Sequence, residues 1–203
     1  INDVVVREDV ITLYLNGTSY IRMVASCDML TELGAGFFTA VGIAEKILSV
    51  HTSGKDVFVE AELRCDAPQS GSGFSQARTA SCTASAGGQI TPEEIFALRE
   101  ALNTKVWKET GGMHCAVLWH NHRCVVTASD IGRHNAVDKV IGWMVLNRLQ
   151  PSECVIGSTG RQPAEMVTKA VNAGIPIIAS RTAATNAGIA AAKEGGVTLI
   201  CFT

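Results

Sequence analysis

Residues 10–15 and 18–25 form two β-rich apolar runs, separated by Asn16-Gly17. Asn-Gly accommodates the positive φ angles of a tight two-residue turn, so the pattern predicts a β-hairpin. Over 29–39 the apolar residues Leu30, Leu33, Phe37 and Phe38 gather on one side of a helix. Over 57–63, Val57, Val59, Ala61 and Leu63 alternate with polar positions that include Glu60 and Glu62, the signature of a half-buried strand. These elements make an N-terminal α+β subdomain over 1–65. The stretch that follows, 66–90, is rich in Gly, Ser, Ala and Pro and nearly free of large apolar residues until its end. It reads as a long mobile loop, and Cys82 lies inside it.

The pattern changes at Thr91, which suits an N-cap, with Pro92 at the first helical position and Glu94 completing a capping box. That helix runs to about Leu102. A strand pair over 115–119 and 124–128 turns at His120-Asn121-His122-Arg123, and a helix covers 134–149. Beyond it strands at 153–158, 175–179 and 197–202 alternate with helices at 164–172 and 184–193. Strand–helix–strand alternation predicts parallel strands covered by helices. The fold class is α/β, a three-layer α/β/α sandwich over 91–203.

Composition narrows the function. Of the 203 residues 47% are hydrophobic, enough for a sizeable core, and the net charge is −2. A near-neutral chain with few aromatics offers no strong positive field and no stacking platform, so no nucleic-acid partner is assigned. No apolar run is long enough to span a membrane, and no secretory signal pattern is present. The seven cysteines are odd in number and widely spaced, without a CxxC pair. Cys115, Cys124, Cys154 and Cys201 sit in apolar strand runs, so a reducing, cytoplasmic setting with mostly inert core thiols is expected.

Ligands of parallel α/β sheets bind beyond the carboxyl ends of the strands. There the sequence places Ser129-Asp130-Ile131-Gly132-Arg133-His134-Asn135, Ser158-Thr159-Gly160-Arg161, Ser180-Arg181-Thr182 and Cys201-Phe202-Thr203. Three of these ends combine a hydroxyl, an arginine and a helix start, a combination that suits a phosphate-bearing ligand. The same residues also serve as helix caps and ion-pair partners, and both readings stand. His134 is a base, a hydrogen-bond donor or simply a helix residue, and Asp138, four residues on, would orient it. His114 follows Gly111-Gly112 at a strand start, as a catalytic or a structural histidine. His120 and His122 at the hairpin tip are read as solvent-facing, and no metal ligands are assigned.

The runs Thr110-Gly-Gly-Met-His114 and Asp130-Ile-Gly-Arg-His-Asn-Ala-Val-Asp-Lys139 resemble those of the formate dehydrogenase accessory protein family, FdhD. Gly160-Arg161, Glu165-Met-Val, Lys169-Ala, Gly174-Ile-Pro-Ile and Thr198-Leu-Ile-Cys-Phe202 carry the resemblance further. It implies a cytidine-deaminase-like fold and a homodimer. It also implies a sulfurtransferase that accepts sulfur from a cysteine desulfurase as a cysteine persulfide. The sulfur passes to the molybdenum cofactor, Mo-bis-molybdopterin guanine dinucleotide, destined for formate dehydrogenase; GDP would be an analogue of that ligand.

By carry-over Cys82 holds the persulfide, and Ile200, Cys201, Phe202 and Thr203 contact the cofactor. Placed by their strand ends alone, Arg133, Arg161 and Arg181 are candidates for its phosphates and Asp130 for the guanine edge. Ser158 stands beside them, with His134 and His114 as proton-handling groups. The chain departs from the family motif at Ser85, where a second cysteine is usual. The alternative function is therefore a cofactor-binding chaperone that does not move sulfur. Zinc-dependent deamination is disfavoured, since His114-Cys115-Ala116 lacks the glutamate and no CxxC exists.

Overall fold

The computed structural model describes residues 5–65 and 89–203, so nearly all of the predicted loop, with Ser81, Cys82 and Ser85, lies outside the described residues. The first half contains β1 (Asp9–Leu15), β2 (Thr18–Ala25), α1 (Leu30–Ala40), β3 (Ala44–Ser53) and β4 (Asp56–Leu63). They form a four-stranded sheet in the order β2-β1-β4-β3. The predicted hairpin is present: Asn16 and Gly17 take φ values of 48° and 78° between the antiparallel β1 and β2. The central pair, β1 and β4, is parallel, so the sheet is mixed. Ile11, Leu13, Val57 and Val59 bury one face under Leu33 and Phe38 of α1.

The second half contains α2 (Pro92–Ala101), α3 (Lys105–Thr110), β5 (His114–His120), β6 (Arg123–Asp130) and α4 (Arg133–Leu146). It continues with β7 (Cys154–Ser158), α5 (Ala164–Ala173), β8 (Ile177–Ser180), α6 (Asn186–Gly195) and β9 (Thr198–Cys201). The five strands are ordered β6-β5-β7-β8-β9. As the alternation predicts, β7, β8 and β9 are parallel. β5 runs antiparallel to both its neighbours, so the sheet is mixed rather than wholly parallel. Leu98 and Leu102 cover one face of this sheet, while α4, α5 and α6 pack against the other. The capping box forms: Glu94 N–H donates to Thr91 Oγ1 at 3.3 Å, and Thr91 N–H donates to Glu94 Oε2 at 2.8 Å.

Two elements escape the sequence pattern. β3 is an edge strand with two register shifts and mostly exposed side chains, so its alternation is broken. α3 is a short helix with no buried residue. At the second hairpin tip His122 is exposed and hydrogen-bonded to Glu94. His120 is instead largely covered, with Nε2 3.2 Å from Glu153. No helix among the described residues is long and apolar enough to cross a membrane.

The two halves meet where α1 crosses α4 backbone to backbone. A Cβ on Gly36 would overlap the Asp138 carbonyl oxygen and come within 2.6 Å of the Gly142 nitrogen. One on Gly142 would overlap the Glu32 carbonyl oxygen and come within 2.8 Å of the Gly36 nitrogen. Only glycine permits this approach. A second seam runs beside it: Asn172, 3% exposed, donates from Nδ2 to the Ala40 carbonyl at 2.9 Å, and Arg64 donates to the Asn172 carbonyl at 3.1 Å.

Gly36→Ala or Gly142→Ala must push the two helices apart and should destabilise the protein by about 3 kcal/mol or more. Gly17→Ala, at a positive φ with open space around it, should cost only about 1 kcal/mol. Urea denaturation of the three variants checks the ranking; equal midpoints for all three would contradict the crossing.

Candidate functional site

β6, β7, β8 and β9 all point the same way, because β5 is antiparallel to both of its neighbours. Register pairs His114 with Asp130, Ala116 with Ser158, Ser158 with Ser180 and Ser180 with Cys201. The predicted strand ends therefore line one edge of the sheet, joined there by the start of β5. Along this edge lies a cleft of about 420 Å³ lined by Trp107, Gly111, Gly112, Met113, His114, Ile131, Thr159, Arg181 and Thr182.

Asp130 does not face the cleft. It is 0% exposed, and its oxygens accept from Ser26 N–H at 3.1 Å, Gly132 N–H at 3.0 Å and Asn135 Nδ2 at 2.9 Å, with Lys139 Nζ at 2.8 Å. A carboxylate so committed cannot also bind a guanine edge, so the expectation for Asp130 is corrected: it supports the site from behind. Ser158, 1% exposed, accepts from Gly160 N–H at 3.1 Å and likewise shapes the loop. Ser180, fully buried, donates to the Gly160 carbonyl at 2.9 Å and ties the two strand ends together.

Of the three arginines, Arg181 lines the cleft and Arg161 is exposed. Arg133 is half-buried, and its Nε is buried without a hydrogen-bond partner among the described residues. Gln162 Oε1 and Thr203 Oγ1 share that condition. Buried polar groups are normally paired, and these three atoms depart from that rule. The last strand splits the predicted terminal stretch. Ile200 packs against the core cluster that contains Leu98 and Ala179, whereas Cys201 and Phe202 line a separate apolar pocket of about 410 Å³ beside α6. Phe202 is 77% exposed.

Burial works against charge on the two histidines at this edge, His114 and His134. His114 Nδ1 lies 3.3 Å from Thr159 Oγ1. Burial first, and then the Arg133 charge, push its pKa below the usual histidine range. Burial pushes His134 down to about 4, aided by the charges of Lys169, Arg133 and His114. Glu165 is 4.0 Å from His134 Nε2 and about half-exposed, too distant and solvated to offset this. Asp138 does not orient His134 as its spacing predicts. It is 1% exposed and bound through both oxygens to Lys169 Nζ at 2.6 and 2.7 Å. Burial raises the Asp138 pKa, against the pull of Lys169.

Of the strand thiols, Cys115 and Cys154 are buried in the core, whereas Cys124 and Cys201 are partly exposed. Burial pushes Cys115 and Cys154 up to about 12, well away from nucleophilic thiolate at neutral pH. Cys27 and Cys65 are the exposed thiols among the described residues. Sequence reasoning missed Trp107, Asn103, Gln162 and the partners of Asp130. α3 carries readable caps, since Thr104 accepts from Trp107 N–H and Gly111 closes the helix in a left-handed conformation.

An α/β protein with a mixed five-stranded sheet and a cleft at one strand edge that presents His114, Thr159, Arg181 and Thr182 is thus defined. The model of the FdhD/NarQ family matches residues 6–203, and the chain belongs to that family. It is 35% identical to the "Sulfur carrier protein FdhD" of Wolinella succinogenes over 98% of this chain and 77% of that one. It is 29% identical to the protein of the same name in Bacillus subtilis, over 100% of this chain and 86% of that one. Among solved structures it matches a formate dehydrogenase accessory protein from Desulfotalea psychrophila with TM-score 0.84 and 31% identity, over 100% of this chain and 86% of that one.

Because its pKa lies below that of an unfolded histidine, near 6.5, His134 opposes protonation in the fold. Between about pH 6.5 and 4 the unfolded chain binds the extra proton, so this contribution to stability is complete above pH 6.5 and shrinks as pH falls through that window. The His134 ring should titrate by NMR with a midpoint near 4. His134→Gln should flatten the fall in stability between pH 6.5 and 4; a midpoint near 6.5 would contradict the burial.

Proposed function

We propose that this protein carries sulfur for the maturation of formate dehydrogenase, with Cys82 as the carrier. One observation supports it above the rest: FdhD/NarQ membership across residues 6–203, with relatives named as sulfur carriers over nearly the whole chain. In the first step the Cys82 thiolate attacks the outer sulfur of a cysteine persulfide on a desulfurase. A new S–S bond forms at Cys82, the donor S–S bond breaks, and the donor cysteine leaves as a thiolate, so atoms and electrons balance. The acceptor is Mo-bis-molybdopterin guanine dinucleotide, a substrate of the transfer rather than a resident cofactor, and GDP is its test analogue. Its phosphates would meet Arg133, Arg161 and Arg181 at the strand edge, where Arg181 lines the cleft and Arg161 is exposed. Neutral His114 and His134 would serve as hydrogen-bonding groups. The terminal stretch, Ile200 to Thr203, would extend the contact.

The reading includes a cytoplasmic homodimer, a cytidine-deaminase-like layering of 91–203 and a separate N-terminal subdomain over 1–65. A second reading rests on Ser85, which stands where the family motif has its other cysteine. On that reading the chain binds the cofactor and delivers it without moving sulfur.

Intact-protein mass spectrometry after incubation with an active cysteine desulfurase and cysteine separates the two. A gain of sulfur mass in the wild type that is lost in Cys82→Ala is the expected result. No gain in either favours the chaperone, and a gain that survives Cys82→Ala moves the chemistry to another thiol, with the exposed Cys27 and Cys65 tested next.

A further inference from the structure

Arg181 stands at the cleft wall with its guanidinium already fixed. Its Nη1 donates to Asn103 Oδ1 at 2.8 Å, and its guanidinium carbon lies 5.0 Å from the centroid of the Trp107 ring. The backbone N–H of Arg181 donates to the Ser158 carbonyl at 3.1 Å, so the residue's base is pinned as well as its tip. Both anchoring side chains come from one short segment that packs few apolar groups. Asn103 precedes α3 and Trp107 sits inside it, while Thr104 caps the helix by accepting from Trp107 N–H at 3.3 Å. Ser129, near the end of β6, donates to Thr104 Oγ1 at 3.4 Å and ties this cap to the sheet edge. α3 contributes no buried residue to the core, so core packing does not account for it.

We infer that Asn103 and Trp107 are positioning residues that hold Arg181 ready to grip an anionic phosphate group in this cleft. The inference rests on the proposed phosphate-bearing substrate and adds residues that neither the sequence motifs nor the family match assigns. An arginine free in solvent loses rotamer freedom when it closes on an anion, and one already clamped does not. Asn103 takes one nitrogen of the fork and Trp107 covers one face, leaving the remaining nitrogens for a phosphate oxygen. Trp107 also lines the cleft, so contact with the ligand is the competing role, and the experiment separates the two.

Titration calorimetry of the full chain with GDP, inorganic pyrophosphate and guanosine tests it. Trp107→Leu and Asn103→Ala should each weaken GDP and pyrophosphate about tenfold and leave any guanosine binding unchanged. Trp107→Phe, which keeps an aromatic face, should stay within about threefold of wild type. In an Arg181→Gln background neither Trp107→Leu nor Asn103→Ala should weaken binding further, because both act through Arg181. Full losses that persist in that background would overturn the positioning role in favour of direct contact or general packing. Unchanged binding in all the single variants would overturn it while leaving the phosphate site intact. A wild-type protein that binds neither GDP nor pyrophosphate would remove the phosphate site itself, and this inference with it.

Discussion

The Lys139 ammonium is the interaction on which the rest of the structure depends. Its side chain is 0% exposed, and its Nζ lies 2.8 Å from Asp130, 2.7 Å from Asp28, 3.3 Å from the Ser129 carbonyl and 3.4 Å from the Ser26 carbonyl. One cation from α4 thus binds the end of β6 to the segment that joins β2 to α1. A charge withdrawn from water so completely is tolerable only with such partners, and removing one member of a pair like Lys139–Asp130 costs about 3–5 kcal/mol. Asp130 in turn orders its own surroundings: it holds Gly132 and Asn135, and Asn135 donates to the Val24 carbonyl at 2.9 Å. Beside this polar seam the glycine crossing of α1 on α4 lets the two backbones touch.

The geometry of the strand edge follows from that join. With Asp130 and Lys139 consumed inside, the turn into α4 is fixed and places Arg133 and His134 at the edge. The serines of β7 and β8 play the same part lower down, since Ser158 and Ser180 both bind Gly160 and set the path of the loops that carry Arg161 and Arg181. The functional groups that remain at this edge are therefore arginines, hydroxyls and half-buried histidines held on a rigid frame. Such a surface suits anion binding rather than nucleophilic chemistry.

Much of this is legible in the sequence. Asn16-Gly17 marks the first hairpin, Thr91-Pro92 marks the start of α2, and the alternation after Glu153 marks three parallel strands. The density of polar residues in Asp130–Lys139 is legible too, but its meaning is not. Spacing shows that Asp130 and His134 are near a strand end; it does not show that the carboxylate points inward to a lysine nine positions on. Helical spacing pairs Asp138 with His134, yet the partner that claims it, Lys169, comes from another helix. The Asn103–Arg181–Trp107 cluster joins residues far apart in the chain, and α3 is too short for periodicity to register. β3 is hidden for a different reason: its two register shifts break the alternation on which strand recognition depends.

Hydrogen exchange, measured amide by amide on the native protein, tests most directly whether Lys139 and Asp130 unite the two sheets. The Ser26 amide, which donates to Asp130, and the amides of β1 and β4 should exchange only through global unfolding, at the same free energy as those of β5 and β7. Exchange of Ser26 and the first sheet at a clearly lower free energy than the second would mean that the halves open independently, and would contradict the buried seam as the constraint that sets the site.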